Sequence, residues 1–221
     1  MVDWPARLAA ITTGPIPSAG REAMPEESEI LIGALEDRGI EFEAKSVLDI
    51  GCGNGRAAIA LTTRGLARYV GFDIVGGAIE FCRGAFADWP EFSFVDAGLA
   101  NSRYNPKGRS ALRYQFPAED HSVDVAIAFS VFTHLDSRAE CLAYLFETWR
   151  VLADDGVAWL TFFTNPPNET CEDAARVVYP RAWLLEAIAA AGFEIVHEAG
   201  GTTTGWHDQV QMELRPKRRP A

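Results

Sequence analysis

The stretch SVLDIGCGNGRAA, from Ser46 to Ala58, decides how the rest of this sequence is interpreted. Its first five residues are mostly apolar, and three glycines then alternate at Gly51, Gly53 and Gly55. An acidic residue, Asp49, stands two positions before the first glycine. A glycine loop that follows a strand is typical of proteins that bring their backbone close to a nucleotide. The stretch therefore predicts a strand followed by a loop that binds a nucleotide-like ligand.

Length and composition indicate a single globular domain. The chain has 221 residues, of which 48% are hydrophobic, and this is enough for one sizeable core. It contains no run of 18 apolar residues, so we expect no membrane span. The N-terminal residues MVDWPARLAAITTGP lack the basic and apolar regions of a secretion signal, which favours a cytoplasmic protein. The cysteines show no C-x-x-C spacing, so we expect reduced thiols and no metal site (Cys52, Cys82, Cys141 and Cys171).

The net charge argues against polyanionic partners. The formal charge is −11, and without the four cations of the C-terminal tail it becomes −15 over residues 1–214, because 16 basic residues face 31 acidic ones. A body this acidic repels nucleic-acid phosphates and anionic lipid head groups. We therefore expect a small-molecule partner, no nucleic acid and no membrane, and the sequence leaves the oligomeric state open.

Apolar runs alternate with helical patterns along most of the chain. A helix is predicted from Pro25 to about Gly39. The runs SVLDI, RYVGFDI, FSFVD, DVAIAFS and VAWLTFF are nearly continuous, as expected for strands that are covered on both faces. This alternation predicts an α/β fold with a doubly wound, mostly parallel sheet. Residues 1–23 are interpreted as an N-terminal arm or lid, residues 24–214 as the domain, and residues 215–221 as a basic tail.

The second half of the chain carries clear boundary signals. Ser137 and Glu140 form a capping-box pattern that opens a helix, and Asp155-Gly156 is expected to turn the chain into the fifth strand. Another helix is predicted over residues 180–191, with Gly192 as its stop. The last two strands, FEIVH and DQVQMEL, are joined by too few residues for a crossover helix, so they should be antiparallel.

The glycine spacing alone leaves two ligand classes open. Counted from Gly53, the dinucleotide pattern G-x-G-x-x-[GA] is met by Gly55 and Ala58, so spacing does not exclude a dinucleotide. The phosphate loop G-x-x-x-x-G-K-[ST] is absent. Charge favours a different ligand, because Asp49 would repel a pyrophosphate and would attract a ligand that carries an amine and a sulfonium.

Two further carboxylates end the next two strands. Asp73 follows Gly55 by 18 residues and ends YVGFD, where a carboxylate can accept hydrogen bonds from both hydroxyls of a ribose. Asp96 ends FSFVD, where it can accept from the exocyclic amine of an adenine. Three successive strands thus offer acidic groups to a ligand that has a ribose and an amine and needs no phosphate. S-adenosylmethionine is such a ligand.

The combined motifs VLDIGCGNGR, YVGFDIV, FVDA, DVAIAFSVFTHL and WRVLADDGVAWLTFF resemble the class I S-adenosylmethionine-dependent methyltransferases over about residues 45–214. The pieces GFDIVGGAIEFC, NSRYNPKG and SVFTHL resemble a bacterial small-molecule branch that includes enzymes acting on sugars or natural products. The resemblance implies a seven-stranded sheet whose last strand is reversed. It also implies that S-adenosyl-L-methionine is bound by Asp49, Gly51, Cys52, Gly53 and Gly55 in the first motif, Asp73 and Ile74 at the ribose, Asp96 and Ala97 at the adenine, and Phe129 and Ser130 at the methionine end.

Two histidines are candidates for a general base. His134 follows the fourth strand in SVFTHL, which places it near the mouth of the site. If the last strand is reversed, its beginning lies at the same sheet edge as the ends of the other strands. His207 would then also face the site, with Trp206 and Asp208 beside it. A structural role is the alternative for each of them.

Four other residues receive weaker assignments. Phe132 and Asn165, which follow the fourth and fifth strands, are candidates to face the ligand, whereas His121 and His197 are expected at the surface.

These observations predict an enzyme that transfers the methyl group of S-adenosylmethionine to a hydroxyl of a small molecule. N- or carboxyl methylation is the alternative within the same enzyme class. A nicotinamide-dependent oxidoreductase and a non-enzymatic protein that binds an adenosine ligand stay open as well, because one fold hosts many functions.

Overall fold

The computed structural model describes residues 25–165, 172–173, 176–200 and 209–217. In these residues strands and helices alternate, as the sequence predicts. The strands are β1 (Ser46–Ile50), β2 (Arg68–Asp73), β3 (Phe92–Asp96), β4 (Val123–Ala128), β5 (Leu152–Asn165), β6 (Glu172–Asp173), β7 (Arg176–Pro180), β8 (Phe193–Ala199) and β9 (Val210–Pro216). The helices are α1 (Pro25–Glu36), α2 (Arg56–Leu61), α3 (Gly76–Ala85), α4 (Arg138–Val151) and α5 (Arg181–Ala190), with short 3-10 helices at Ala111–Arg113 and Phe132–His134.

Seven of the strands lie in the order β3-β2-β1-β4-β5-β9-β8. The pairs from β3 to β5 are parallel, and β9 is antiparallel to both β5 and β8. This confirms the mostly parallel seven-stranded sheet with a reversed last strand. The short strands β6 and β7 were not predicted, and β7 pairs in parallel with the last residues of β5, Phe163–Asn165.

Alternate residues of the central strands enter two different cores. Leu48 and Ile50 of β1 belong to the core that also contains Leu145 of α4 and Leu184 of α5. Val47 belongs to the opposite core, to which α1, α2 and α3 contribute apolar residues. Helices therefore cover both faces of the sheet, which explains why the strand sequences are apolar at nearly every position. The carboxyl ends of β1 to β4 and the beginning of β9 are left together at one edge.

The boundary signals of α4 and α5 are confirmed. The hydroxyl of Ser137 accepts a hydrogen bond from the Glu140 amide at 3.2 Å, and the Glu140 carboxylate accepts one from the Asp136 amide at 2.9 Å. Gly192 follows α5 with φ 96°, and a methyl group at this position would lie 2.5 Å from Nε1 of Trp149. A left-handed glycine is a common way to end a helix.

Three predictions of detail differ from the structure. Asp155-Gly156 does not precede the fifth strand but lies inside β5, because the register with β4 shifts from Val123–Leu152 to Val125–Val157 and the intervening residues bulge. The last strand continues through residue 216 rather than ending at 214. The prediction that His197 lies at the surface is wrong, since it is half-buried and its ring stacks on that of Trp159 at 6.4 Å.

His121, by contrast, is exposed as predicted and lies 3.6 Å from the carboxylate of Asp154. In the described part of the chain, no helix is both long enough and apolar enough to cross a bilayer. Within those same residues, no group of three or more acidic, histidine or cysteine side chains is arranged to hold a metal ion.

Candidate functional site

The three glycines of the first motif have different structural roles. All three have positive φ, at 68° for Gly51, 53° for Gly53 and 78° for Gly55. A methyl group at Gly51 would lie 2.5 Å from Val131, and one at Gly55 would lie 2.6 Å from the ring of Phe86. Among the residues that the structure describes, none has an atom within 4 Å of a methyl group added at Gly53. Gly51 and Gly55 are thus required for packing, while the backbone at Gly53 is open to a ligand.

Asp73 is fixed next to this open backbone. One carboxylate oxygen accepts the Gly53 amide at 2.9 Å and the other accepts the Val75 amide at 2.9 Å. Burial raises the pKa of Asp73 above its usual value, and the backbone donors act in the opposite direction. The carboxylate of Asp73 is therefore held by the glycine loop at the end of β2, where a ribose was predicted.

Asp96 lies beside Asp73 because the two residues are paired in the register of β2 and β3. Asp96 is exposed, and its Oδ1 accepts the Gly98 amide at 2.9 Å. Ala97 is buried, and its amide donates to the Asp73 carbonyl at 2.9 Å. Ile74 is half-buried and packs against the core next to them. The four residues predicted around an adenosine are thus brought together, although the amide of Ala97 is already used in the sheet.

Asp49 is buried beneath the loop rather than exposed at its surface. Its Oδ2 accepts the hydroxyl of Tyr69 at 2.6 Å. Burial raises the pKa of Asp49 to about 7, while the hydrogen bond from Tyr69 and the charge of Arg56 lower it. Asp49 therefore titrates near neutral pH, and a cation bound close by would favour its ionised form.

Cys52 contributes backbone to the loop, whereas its side chain is buried. The thiols of Cys52 and Cys82 lie 3.8 and 3.4 Å from the carbonyl of Gly53. Burial raises the pKa of Cys52 well above its usual range, so the thiol is inert at neutral pH.

Ser130, just after β4, is held in an unusual conformation by three hydrogen bonds. Its φ is 61°, which costs a residue with a side chain about 1–3 kcal/mol. Its amide donates to Thr161 Oγ1 at 2.7 Å, its hydroxyl accepts from Gln209 Nε2 at 2.8 Å, and its carbonyl accepts from Thr133 Oγ1 at 2.8 Å. Phe129 precedes it and is half-buried against the core. Such a strained residue is typical of functional sites.

Thr161 and Gln209 were missed from the sequence. Gln209 is buried and directly precedes β9. The argument that placed the beginning of the reversed strand beside the site applies equally to Gln209, and could have found it. His207, Trp206 and Asp208 lie outside the described residues, as does the side chain of Asn165.

His134 lies on the other side of Ser130, at the end of the 3-10 helix Phe132–His134. Its half-buried ring contacts the edge of the Tyr104 ring at a centroid distance of 5.7 Å. Its carbonyl accepts Nδ2 of Asn101 at 2.8 Å. The prediction that Phe132 faces the ligand is wrong, because this side chain is fully buried in the core.

The unpredicted strand β7 supports this region. The hydroxyl of Tyr179, which is fully buried, donates to the carbonyl of Phe132 at 2.8 Å. The ring of Tyr179 also stacks on that of Trp183 at 5.4 Å. The chain after β5 therefore anchors the turn that carries His134.

Comparisons with known proteins agree with this geometry. The family model described as "Methyltransferase domain" matches residues 48–160, which is more than half of the 221. Among solved structures, the fold is similar to a TehB-like methyltransferase from Corynebacterium glutamicum, with TM-score 0.61, 19% identity, and 97% of this chain and 94% of that chain covered.

Two further structures have the same fold. One is the 1,6-didemethyltoxoflavin-N1-methyltransferase of Burkholderia thailandensis, with TM-score 0.62, 20% identity, and 89% and 79% covered. The other is the cyclase SpnF, with TM-score 0.66, 17% identity, and 97% and 93% covered. The chain belongs to the methyltransferase domain family, and this confirms the prediction of an S-adenosylmethionine-dependent methyltransferase.

Proposed function

We propose that this methyltransferase transfers the methyl group of S-adenosylmethionine to a hydroxyl of a small molecule. The proposal that S-adenosylmethionine is the cofactor rests on one observation, the open backbone of Gly53 beside the carboxylate of Asp73. No atom of the described residues lies within 4 Å of a methyl group added at Gly53, and the neighbouring groups suit a ribose and an adenine better than a phosphate. The family match supports the same reaction class.

The residues would hold the cofactor from several sides. Asp73 would accept the ribose hydroxyls, Asp96 would accept the adenine amine, and Phe129 with Ser130 would line the methionine end. Asp49 would attract the methionine ammonium through its charge, with the loop at Gly51 to Gly55 enclosing the same end. The bound cofactor would supply a reactive sulfonium methyl, so the protein mainly has to align the acceptor, which can contribute about 7–11 kcal/mol.

A hydroxyl acceptor also has to lose a proton. His134 is the proposed base, because Asn101 and Tyr104 hold it near the end of β4. His207 is the second candidate. The acidic net charge of −11 supports a small-molecule acceptor over nucleic acid or membrane, and we propose that the enzyme works in the cytoplasm.

Calorimetry tests the cofactor. We expect S-adenosylhomocysteine to bind and NADH not to bind, and the opposite preference would end the proposal. The fold alone does not guarantee methyl transfer, since SpnF is named as a cyclase. Release of S-adenosylhomocysteine in the presence of hydroxylated metabolites is therefore the second measurement.

Substitution of His134 tests the base. His134→Asn should reduce turnover by about 10²–10⁴-fold while cofactor affinity and melting temperature stay close to wild type. His121→Asn is the matched control, because His121 is exposed on the surface, and it should leave turnover unchanged. If substitution of neither His134 nor His207 slows the reaction, the histidine base is refuted, and a carboxylate or an amine replaces the hydroxyl as the proposed acceptor.

A further inference from the structure

One segment next to the site has a charge opposite to that of the protein. Residues 97–118, the cationic loop, contain no aspartate or glutamate and four cations, Arg103, Lys107, Arg109 and Arg113. The rest of the chain has 16 basic and 31 acidic residues. A local excess of four positive charges in so acidic a protein favours an anionic ligand near this loop.

A single buried side chain joins the cationic loop to the proposed base. Asn101, only 5% exposed, donates through Nδ2 to the carbonyl of His134 at 2.8 Å. Its Oδ1 accepts the backbone amides of Arg103 and Tyr104, each at 3.1 Å. Asn101 therefore fixes the backbone of these two residues relative to His134.

The same end of the loop is attached at a second point. Asp136 accepts the amide of Ser102 at 2.7 Å and its hydroxyl at 2.6 Å. Since Asp136 lies two residues after His134, the loop is attached both at the carbonyl of the histidine and just after it.

The proposed base is linked to a cation of the loop through the ring of Tyr104. The edge of the Tyr104 ring contacts the His134 ring with centroids 5.7 Å apart, and the guanidinium carbon of Arg103 lies 5.4 Å from the Tyr104 centroid. The guanidinium is thus at most about 11 Å from the imidazole. Since this is an upper limit, one small molecule can contact the guanidinium and the imidazole at the same time.

We propose that Arg103 and Tyr104 form the acceptor subsite, and that the acceptor carries a carboxylate or phosphate in addition to its reacting hydroxyl. The guanidinium has a planar set of donors that matches such an anion, and Tyr104 offers a ring face or edge to the acceptor. In the reaction the hydroxyl proton passes to His134, the oxygen–methyl bond forms, and the sulfur–methyl bond breaks with its electron pair returning to sulfur. This proposal rests on the proposed function.

Pairs of probes that differ only in charge test the proposal. The pairs are 4-hydroxybenzoate with 4-hydroxybenzamide, glucuronate with glucose, and glucose 6-phosphate with glucose. Binding is measured by calorimetry on enzyme saturated with S-adenosylhomocysteine. We expect the anionic member of at least one pair to bind 10-fold or more tightly than its neutral partner. Equal or better binding of every neutral member, or no binding of any anion at millimolar concentration, overturns the proposal.

Two substitutions distinguish a direct contact between Arg103 and the anion from a general electrostatic attraction by the cationic loop. Arg103→Gln should weaken binding of the preferred anion by about 10- to 150-fold and leave the neutral partner unaffected. Arg113→Gln removes the same charge from an exposed position of the same loop, and it should change binding less than threefold. Equal losses in the two variants refute the assignment of Arg103.

S-adenosylhomocysteine binding separates failure of this inference from failure of the proposed function. Wild-type enzyme that does not bind S-adenosylhomocysteine refutes the function itself. Wild-type enzyme that binds it and shows no preference for anions refutes only the acceptor subsite. Melting temperatures identify a variant that has failed to fold, in which case Arg103→Lys, which keeps the charge and loses the planar fork, is compared with Arg113→Lys in its place.

Discussion

Replacing Gly53 by alanine tests directly whether a ligand occupies the space above the glycine loop. The residue has φ 53°, and within the described part of the chain no atom lies within 4 Å of an added methyl group. An alanine here would carry the cost of the left-handed conformation, about 1–2 kcal/mol. For a chain of this size that corresponds to a fall of about 2–8 °C in melting temperature.

The loss of ligand affinity should exceed what the stability change explains. If the cofactor approaches this backbone, the new methyl group enters its space, and overpacking of a close contact costs about 1–3 kcal/mol. S-adenosylhomocysteine should then bind about 5- to 150-fold more weakly in calorimetry. The Gly53 amide also donates to Asp73, so any shift of the loop would disturb the ribose contact as well.

Gly39→Ala is the matched control. Gly39 lies between α1 and β1 and has φ 80°, and likewise no described residue has an atom within 4 Å of an added methyl group. The two variants should lose similar stability, and only Gly53→Ala should lose affinity. Gly55→Ala should be the least stable of the three, because its methyl group would meet the Phe86 ring at 2.6 Å. Wild-type affinity in Gly53→Ala would refute the placement of the cofactor.

Four further predictions concern the same site. Asp73→Ala should weaken S-adenosylhomocysteine binding by about 1.5–3 kcal/mol through loss of a charge-assisted contact, and an unchanged dissociation constant would remove Asp73 from the site. Burial raises the pKa of Asp49 from 3.8 to about 7 in the folded protein. The unfolded chain therefore ionises this carboxyl at lower pH than the folded protein does. As a result, the free energy of unfolding is highest below pH 3.8 and falls as the pH rises through about 7. In urea unfolding, Asp49→Asn should therefore gain up to about 4 kcal/mol over wild type at pH 8 and little at pH 4, and equal gains at both would contradict this. Gln209→Leu removes the donor that holds the Ser130 hydroxyl, so the KM for S-adenosylmethionine should rise while kcat changes little; Gln209→Glu, which keeps an acceptor for that hydroxyl, should recover part of the loss. The net charge predicts no retention of DNA or RNA at moderate salt, and micromolar binding that weakens steeply with salt would show that the charge argument fails.

The fold could be predicted because its strands are buried on both faces and therefore stand out as apolar runs. Apolar runs did not predict those features of the sheet that depend on how the strands pair. The residues around Asp155-Gly156 look like a turn, yet they bulge within β5, since only the register with β4 shows where the strand begins. The strand β7 is short, and it pairs with β5 through only three residues, Phe163–Asn165.

That the residues of the proposed cofactor site lie together could be predicted for a simple geometric reason. Residues at the carboxyl ends of parallel strands share one edge of the sheet, so Asp73 and Asp96 had to become neighbours once β2 and β3 paired. The burial of Asp49 against Tyr69 could not be predicted, because it depends on which face of β1 the side chain occupies.

The acceptor side depends on contacts between residues that are far apart in the chain. Asn101 and His134 are 33 residues apart, and Tyr179 and Phe132 are 47 apart. Neither of these pairs has a local sequence signal, so only the folded structure reveals them. The proposed acceptor residues are therefore held by side-chain hydrogen bonds, whereas Asp73 and Asp96 of the proposed cofactor site are brought together by strand register. Substitutions that remove these side-chain hydrogen bonds should alter the choice of acceptor while the sheet and the cofactor affinity are preserved, because they break no strand pairing.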